Sequence, residues 1–239
     1  MMAVELKKPS TFQQYKTLLR KDLEQEFRTK EMLTSMGIYA LLVLVVYGAA
    51  LAQTSQAIDV LQMSGGLLWA LVVFTSLLGL NRSFAHEKEQ GCLEGILLVP
   101  LDRSVIFLAK ATSNLLFLVV VEVITVPLFY FFFLTGTQPA ASFLLLVVPL
   151  FVGTVGVAGI GTLLSTITIT TRGKDVMLAV LFIPLVFPLL YACVAATTVV
   201  IVGSEGYMDV FVQSLALAGG YDVIMILLSW VLYDFVISA

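Results

Sequence analysis

The sequence predicts an all-α, polytopic membrane protein with six transmembrane helices, an amphipathic interfacial helix at the N-terminus and a short amphipathic helix in the cytoplasmic loop between spans 2 and 3. Composition points there first: of 239 residues, 59% are apolar and only 12% charged, a balance far from that of a soluble domain. The second observation is six apolar stretches, each about 20 residues or longer and so able to cross a bilayer. The third is where the cations sit. Seven Lys and Arg lie between Lys7 and Lys30, none between spans 1 and 2, four from Arg82 to Lys110, none in the next loop, two at Arg172 and Lys174, and none between spans 5 and 6. By the positive-inside rule this alternation puts both termini in the cytoplasm.

The interfacial helix covers about residues 10–31. Phe12, Tyr15, Leu19, Leu23 and Phe27 recur at spacings of three and four, one apolar stripe on a helix otherwise built of Lys, Arg, Glu and Gln. It is expected to lie along the inner leaflet with its basic side chains toward headgroups; the alternative is a soluble connector with a lightly buried face. The spans follow at about 32–52, 61–80, 106–134, 141–171, 176–202 and 212–237. The fourth, uncharged over 31 residues, is longer than a crossing needs, so it tilts or ends in a polar extension. The first apolar run lacks a small-residue cleavage site and reads as a retained span. No repeat or soluble segment is left over, so residues 1–239 are expected to form one transmembrane domain.

Between spans 2 and 3 the chain turns polar. Phe84 to Lys110 carries Glu87, Lys88, Glu89, Glu94, Asp102, Arg103 and Lys110, with Leu93, Ile96, Leu97 and Leu98 ahead of Pro100. Acid before a leucine-rich run and a proline after it is the pattern of a short amphipathic helix with acid near its positive end. Such a helix needs lipid or a partner protein to lie against.

Other classes fall away. No basic domain or polybasic tail suggests nucleic acid. Cys92 and Cys193 fall in a loop and a span, and neither belongs to a haem-attachment or redox motif. Arg172, Gly173, Lys174 and Asp175 lack the earlier glycine and the following Ser or Thr of a phosphate-binding loop, so this chain is not expected to bind and hydrolyse ATP itself, and any energy consumed would come from a partner. The lone His86 has no second imidazole or ligand cluster at metal spacing. The expectation is a non-catalytic chain with no metal site and no cofactor of its own.

Within the spans, Glu122 stands out. Twelve residues beyond Lys110, it lies about 18 Å into the membrane. An ionised acid there costs about 3 kcal/mol, so it faces protein, water or substrate, or is a neutral acid bonded to a Ser or Thr of a neighbouring helix. Asp222, about 25 Å of helix before the C-terminus, is expected near the outer surface. Pro184 and Pro188 each remove a backbone donor and predict a kink in span 5 that could line a pathway or serve packing alone. Glu122, Pro184 and Pro188 are thus the candidate translocation residues. Gly153, Gly156 and Gly159 form a seam allowing close helix approach. The aromatic run Phe129 to Phe133 reads as an interfacial belt or a surface for a flat apolar ligand.

Glu87, Gly91, Leu93, Glu94, the Leu97 and Leu98 pair and Pro100 resemble the loop of permeases that work with separate ATPase subunits. Within that group the sequence is similar to the CcmB family of cytochrome c maturation, the haem exporter permeases. The likeness extends to FLAK (Phe107 to Lys110) and Asn114, to Leu18–Leu33 and to Gly173–Leu190. It implies an ATP-binding-cassette complex in a bacterial inner membrane. A CcmA-like ATPase would bind ATP, CcmC-like and CcmD-like chains would be membrane partners, and a CcmE-like periplasmic chaperone would receive or be released with haem, the cargo. It also implies that those seven loop residues are the coupling helix docking on the ATPase. Cys92 departs from the family's usual Thr or Ser and weakens any helix cap there. Export of a lipid, polysaccharide or drug, a scaffold that moves nothing but handles haem, and an independent ion or proton pathway around Glu122 stay open as other readings.

Overall fold

The computed structural model describes residues 10–52, 60–89, 103–134, 140–168, 174–203 and 206–236. They form helices α1 (Thr11–Thr29), α2 (Glu31–Ala52), α3 (Val60–Glu89), α4 (Arg103–Phe133), α5 (Ala140–Thr168), α6 (Lys174–Val202) and α7 (Tyr207–Val236), with no strand among the described residues. The last six are each long and apolar enough to cross a membrane, as the sequence predicts.

Helix α5 is the axis of the bundle, packed on α3, α4, α6 and α7. Within its span 67% of the residues are buried and in α3 61%, against 17% in α2 and in α7, so α5 and α3 are the inner helices and the others supply most of the lipid-facing surface. The glycine seam explains how so many neighbours fit. Gly153 seats the Trp69 indole of α3, where a Cβ would lie 2.9 Å from Cys193 Sγ of α6. The Trp69 Nε1–H then reaches Thr197 Oγ1 at 2.9 Å. A Cβ at Gly156 would overlap Asp222 of α7 and come within 2.6 Å of Leu189 of α6, and one at Gly159 would meet Ile226 at 3.0 Å. Small residues replace side-chain bulk with backbone contact where lipid provides no hydrophobic drive.

The polar N-terminal helix starts at a capping box: Ser10 Oγ accepts from Gln13 N at 3.4 Å, and Gln13 Oε1 accepts from Ser10 N at 3.3 Å. It stops where Lys30 takes a left-handed conformation (φ 55°), and α2 begins one residue later. Glu26 Oε1 accepts from Leu33 N at 2.8 Å, satisfying one of the unpaired amides at the start of α2. The basic side chains Lys16, Arg20, Arg28 and Lys30 are exposed, while the polar Gln14, Asp22 and Glu26, on which the apolar stripe gave no expectation, are buried against the bundle. Phe12 and Phe27 of the apolar stripe are exposed, at 73% and 63%. The stripe covers only part of the inward face because α4 offers polar partners there.

A second difference concerns the loop. The chain stays helical nine residues past the predicted end of span 2 at Leu80, so His86, Glu87 and Glu89 belong to α3. Glu87 and Glu89 therefore stand at a helix C-terminus, not at the positive end of a following helix. Gly91, Cys92, Leu93, Glu94, Leu97, Leu98 and Pro100, and the predicted coupling helix with them, lie outside the described residues. The polar extension of span 4 is helical as far as Thr168, and Ser165, Thr166 and Thr168 satisfy their buried hydroxyls by donating to carbonyls one turn back.

Candidate functional site

The two helices that lead into and out of the loop are pinned to each other and to α5. Ser83 Oγ–H of α3 donates to Asn114 Oδ1 of α4 at 2.7 Å. The Asn114 amide donates to Thr162 Oγ1 of α5 at 2.9 Å, and Thr162 passes its own proton to the Ala158 carbonyl at 2.7 Å. Each hydroxyl and amide in this relay donates in the same direction, from Ser83 to Asn114 to Thr162 to the Ala158 carbonyl, so it needs no proton rearrangement. Asn114 is 1% exposed and Thr162 fully buried, where a missing partner is most expensive.

One turn nearer the loop, α4 holds α1. Asp22 Oδ2 lies 3.4 Å from Lys110 Nζ, and both side chains are nearly buried, at 8% and 9% exposure. Ser113 Oγ is 3.0 Å from the same oxygen. Lys21 Nζ, 40% exposed, lies 3.3 Å from Asp22 Oδ1, and Tyr15 Oη–H donates to Thr112 Oγ1 at 3.1 Å. At the rim, Arg82 of α3 pairs with Glu31 of α2; this exposed pair contributes little. Lys110 to Asn114 thus form a hub that ties α1, α3 and α5 to the first turns of α4.

Deeper in the bundle, Glu122 Oε1 meets Thr154 Oγ1 of α5 at 2.7 Å, with the Leu150 carbonyl 2.8 Å from the same hydroxyl. One hydroxyl proton cannot serve both acceptors: either Thr154 donates to the carboxylate, or a neutral Glu122 donates to Thr154. This is the Thr partner on a neighbouring helix that the sequence left open. Glu122 also borders a small opening of about 10 Å³ between α2, α3 and α4, with Met36, Leu118, Thr75, Ser76 and Thr125 among its lining, which is room for about one water. Those three hydroxyls bond to Leu71, Val72 and Val121 carbonyls. Only their lone pairs are left for an occupant, so the opening suits a group that donates hydrogen bonds.

Of the residues singled out in sequence, Glu87 lies in the last turn of α3, and Glu122 lies in the bundle. Pro184 and Pro188 are on the exposed side of α6, which is helical through both, and neither lines the opening at Glu122. Phe131 and Phe132 of the aromatic run are exposed, at 66% and 64%, while Phe129 is buried. Asp222 corrects an expectation. It is 5% exposed and sits at the middle of α7, 15 residues after Tyr207, because α7 is about 45 Å long at 1.5 Å per residue and the C-terminus is no ruler for membrane depth. Sequence reasoning also passed over Asp22, Ser83 and Thr162. Asp22 carried one available signal, an acid whose helix neighbours three and four residues away are Leu18, Leu19, Gln25 and Glu26, with no cation among them. Among the described residues, no group of three or more His, Cys, Asp or Glu is placed to hold a metal ion.

Six membrane-crossing helices around a glycine-lined axis, with polar relays at a loop base, define a polytopic integral membrane protein. The chain belongs to the CcmB family, whose model, described as "CcmB protein", matches residues 13–236. It is similar to "Heme exporter protein B" of Pseudomonas aeruginosa, 27% identical over 176 residues that cover 74% of this chain and 77% of the relative. The protein of that name from Rhodobacter capsulatus is 28% identical over 129 residues, 54% of this chain and 58% of the relative. That from Escherichia coli K12 is 27% identical over 97 residues, 41% and 43% of the two chains.

Proposed function

We propose that this chain is the membrane permease subunit of an ATP-binding-cassette complex for cytochrome c maturation. A separate CcmA-like ATPase supplies the energy, and the output is haem export or release of a CcmE-like haem chaperone. CcmC-like and CcmD-like chains complete the complex in a bacterial inner membrane, and both termini of this chain are cytoplasmic. The relatives' name, "Heme exporter protein B", supports haem as cargo.

The observation that carries the mechanism is the relay from Ser83 through Asn114 to Thr162. The loop holding Glu87, Gly91, Leu93, Glu94, Leu97, Leu98 and Pro100 docks on the ATPase, its acids pairing with basic groups there. With both ends of that loop clamped to each other and to Thr162 of α5, a push passes to α3, α4 and the axis helix α5 as one body. The exposed Phe12 and Phe27 anchor α1 in the inner leaflet. Glu122 and the opening beside it accept donor groups of cargo passing through, and the helix turns at Pro184 and Pro188 flex to admit it.

The test is charge reversal of Glu87 and Glu94 to Lys. The double variant is expected to insert normally and to lose the ATPase on co-purification. Full retention of the ATPase would count decisively against the docking role.

A further inference from the structure

Among the described residues, the buried side-chain polar atoms left without a hydrogen-bond partner are Asp222 Oδ1 and Ser229 Oγ. Both belong to α7. Seven residues apart, they project from the helix within about 20° of each other, and they are 5% and 0% exposed. Asp222 abuts the bare backbone of Gly156 on α5, beside Leu189 of α6. The other titratable groups near it are Cys193 of α6 and Tyr221 of α7. The Tyr221 hydroxyl is given to the Leu185 carbonyl of α6, and Cys193 is buried against the Gly153 seat. Two polar atoms on one face of one helix thus press into a seam that gives them nothing. Helix α7 is otherwise peripheral, only 17% buried along its span, so the polar pair lies on the one face of it that packs closely against α5 and α6.

We propose that the seam between α5 and α7 opens to water, and that Asp222 and Ser229 line the water-accessible site so formed at mid-membrane. Opening replaces two orphaned contacts with hydration, the one ligand that satisfies a carboxyl and a hydroxyl together without a new protein donor. The site is distinct from the opening at Glu122. Thr154 and Gly156, the α5 residues that meet Glu122 and Asp222, are two apart and so about 200° apart around the helix. The inference rests on the reading of this bundle as one whose helices shift.

The experiment is thiol accessibility in the full-length chain in native membranes, with Cys92→Ser and Cys193→Ala as background. A charged, water-soluble thiosulfonate reacts with a thiolate only in water. Ser229→Cys is expected to be modified about ten- to a hundredfold more slowly than a thiol in an exposed loop, as for an open state populated at a few per cent. Leu217→Cys, on the lipid side of the same helix at 68% exposure, is expected to stay unmodified. Gly156→Ala, whose methyl wedges against Asp222, is expected to accelerate the Ser229→Cys reaction. If Ser229→Cys in correctly inserted protein reacts no faster than Leu217→Cys, with or without the wedge, the water-accessible seam is wrong. The basal reaction is read without added ATP and then with it. Labelling that ATP leaves unchanged would retain the seam and weaken the ATP-driven reading, whereas no labelling in a complex that still needs Glu87 and Glu94 would remove the seam alone.

Discussion

Ser83 gives its hydroxyl proton to Asn114 Oδ1 over 2.7 Å across 31 residues of chain, closing the base of the loop between α3 and α4. Through the same side chain Asn114 reaches Thr162 of α5 at 2.9 Å. One amide therefore joins the helix that enters the loop, the helix that leaves it and the axis of the bundle.

Replacing Asn114 by Leu leaves Ser83 and Thr162 short of a partner each. Side-chain hydrogen bonds between membrane helices contribute about 0.6–2 kcal/mol, so Asn114→Leu is expected to lose roughly twice what Ser83→Ala loses. Thermal unfolding of the purified variants in micelles checks the ratio. Equal losses would mean that the bond to Thr162 contributes nothing.

Asp22 and Lys110 form a nearly buried pair, and removing one member of such a pair costs about 3–5 kcal/mol. Asp22→Ala and Lys110→Ala are each expected to destabilise strongly, Lys110→Ala somewhat less because Lys21 still neighbours Asp22. The double variant is expected to fall short of the summed loss by about 1–3 kcal/mol. A double-mutant cycle on unfolding measures this coupling directly, and strict additivity would remove the pair from the account of how α1 is held.

Glu122→Gln keeps the shape and can still exchange a hydrogen bond with Thr154. It is expected to insert, assemble and unfold within about 1 kcal/mol of wild type. Glu122→Lys puts a longer cation against the Thr154 hydroxyl and is expected to prevent assembly. Subunit co-purification and thermal unfolding report both, and assembly of the lysine variant at wild-type yield would contradict the half-buried contact of Glu122 with Thr154.

Gly153→Val drives a branched side chain into the Trp69 ring and toward Cys193 Sγ. Overpacking of this kind costs about 1–3 kcal/mol and also displaces Trp69 from Thr197. Loss of folded yield is expected, together with a red-shifted indole emission. Wild-type emission from folded protein would show that the seat is wider than described.

Helix number, order and approximate limits were legible because long uncharged runs leave the chain no alternative in lipid. The glycine seam was legible for the same reason, since small residues matter most where helices pack without water. Partners were not: the pairing of Asn114 with Thr162, or Asp22 with Lys110, depends on which helices become neighbours, and spacing along one helix carries no trace of that. Glu87 illustrates a local limit. Acid before a leucine-rich run resembles a helix start, but α3 had no breaker after Leu80 and simply continued. Asp222 was misplaced because depth was counted from the chain end and not from the middle of a helix longer than the bilayer.

Transmission of ATPase motion through the loop base is tested most directly by ATP-dependent haem accumulation in sealed inside-out vesicles, comparing wild-type complex with Asn114→Leu at equal bound ATPase. The account predicts accumulation in wild type, and in the variant an ATPase that remains bound while accumulation is lost. Wild-type accumulation by the Asn114→Leu complex would contradict it.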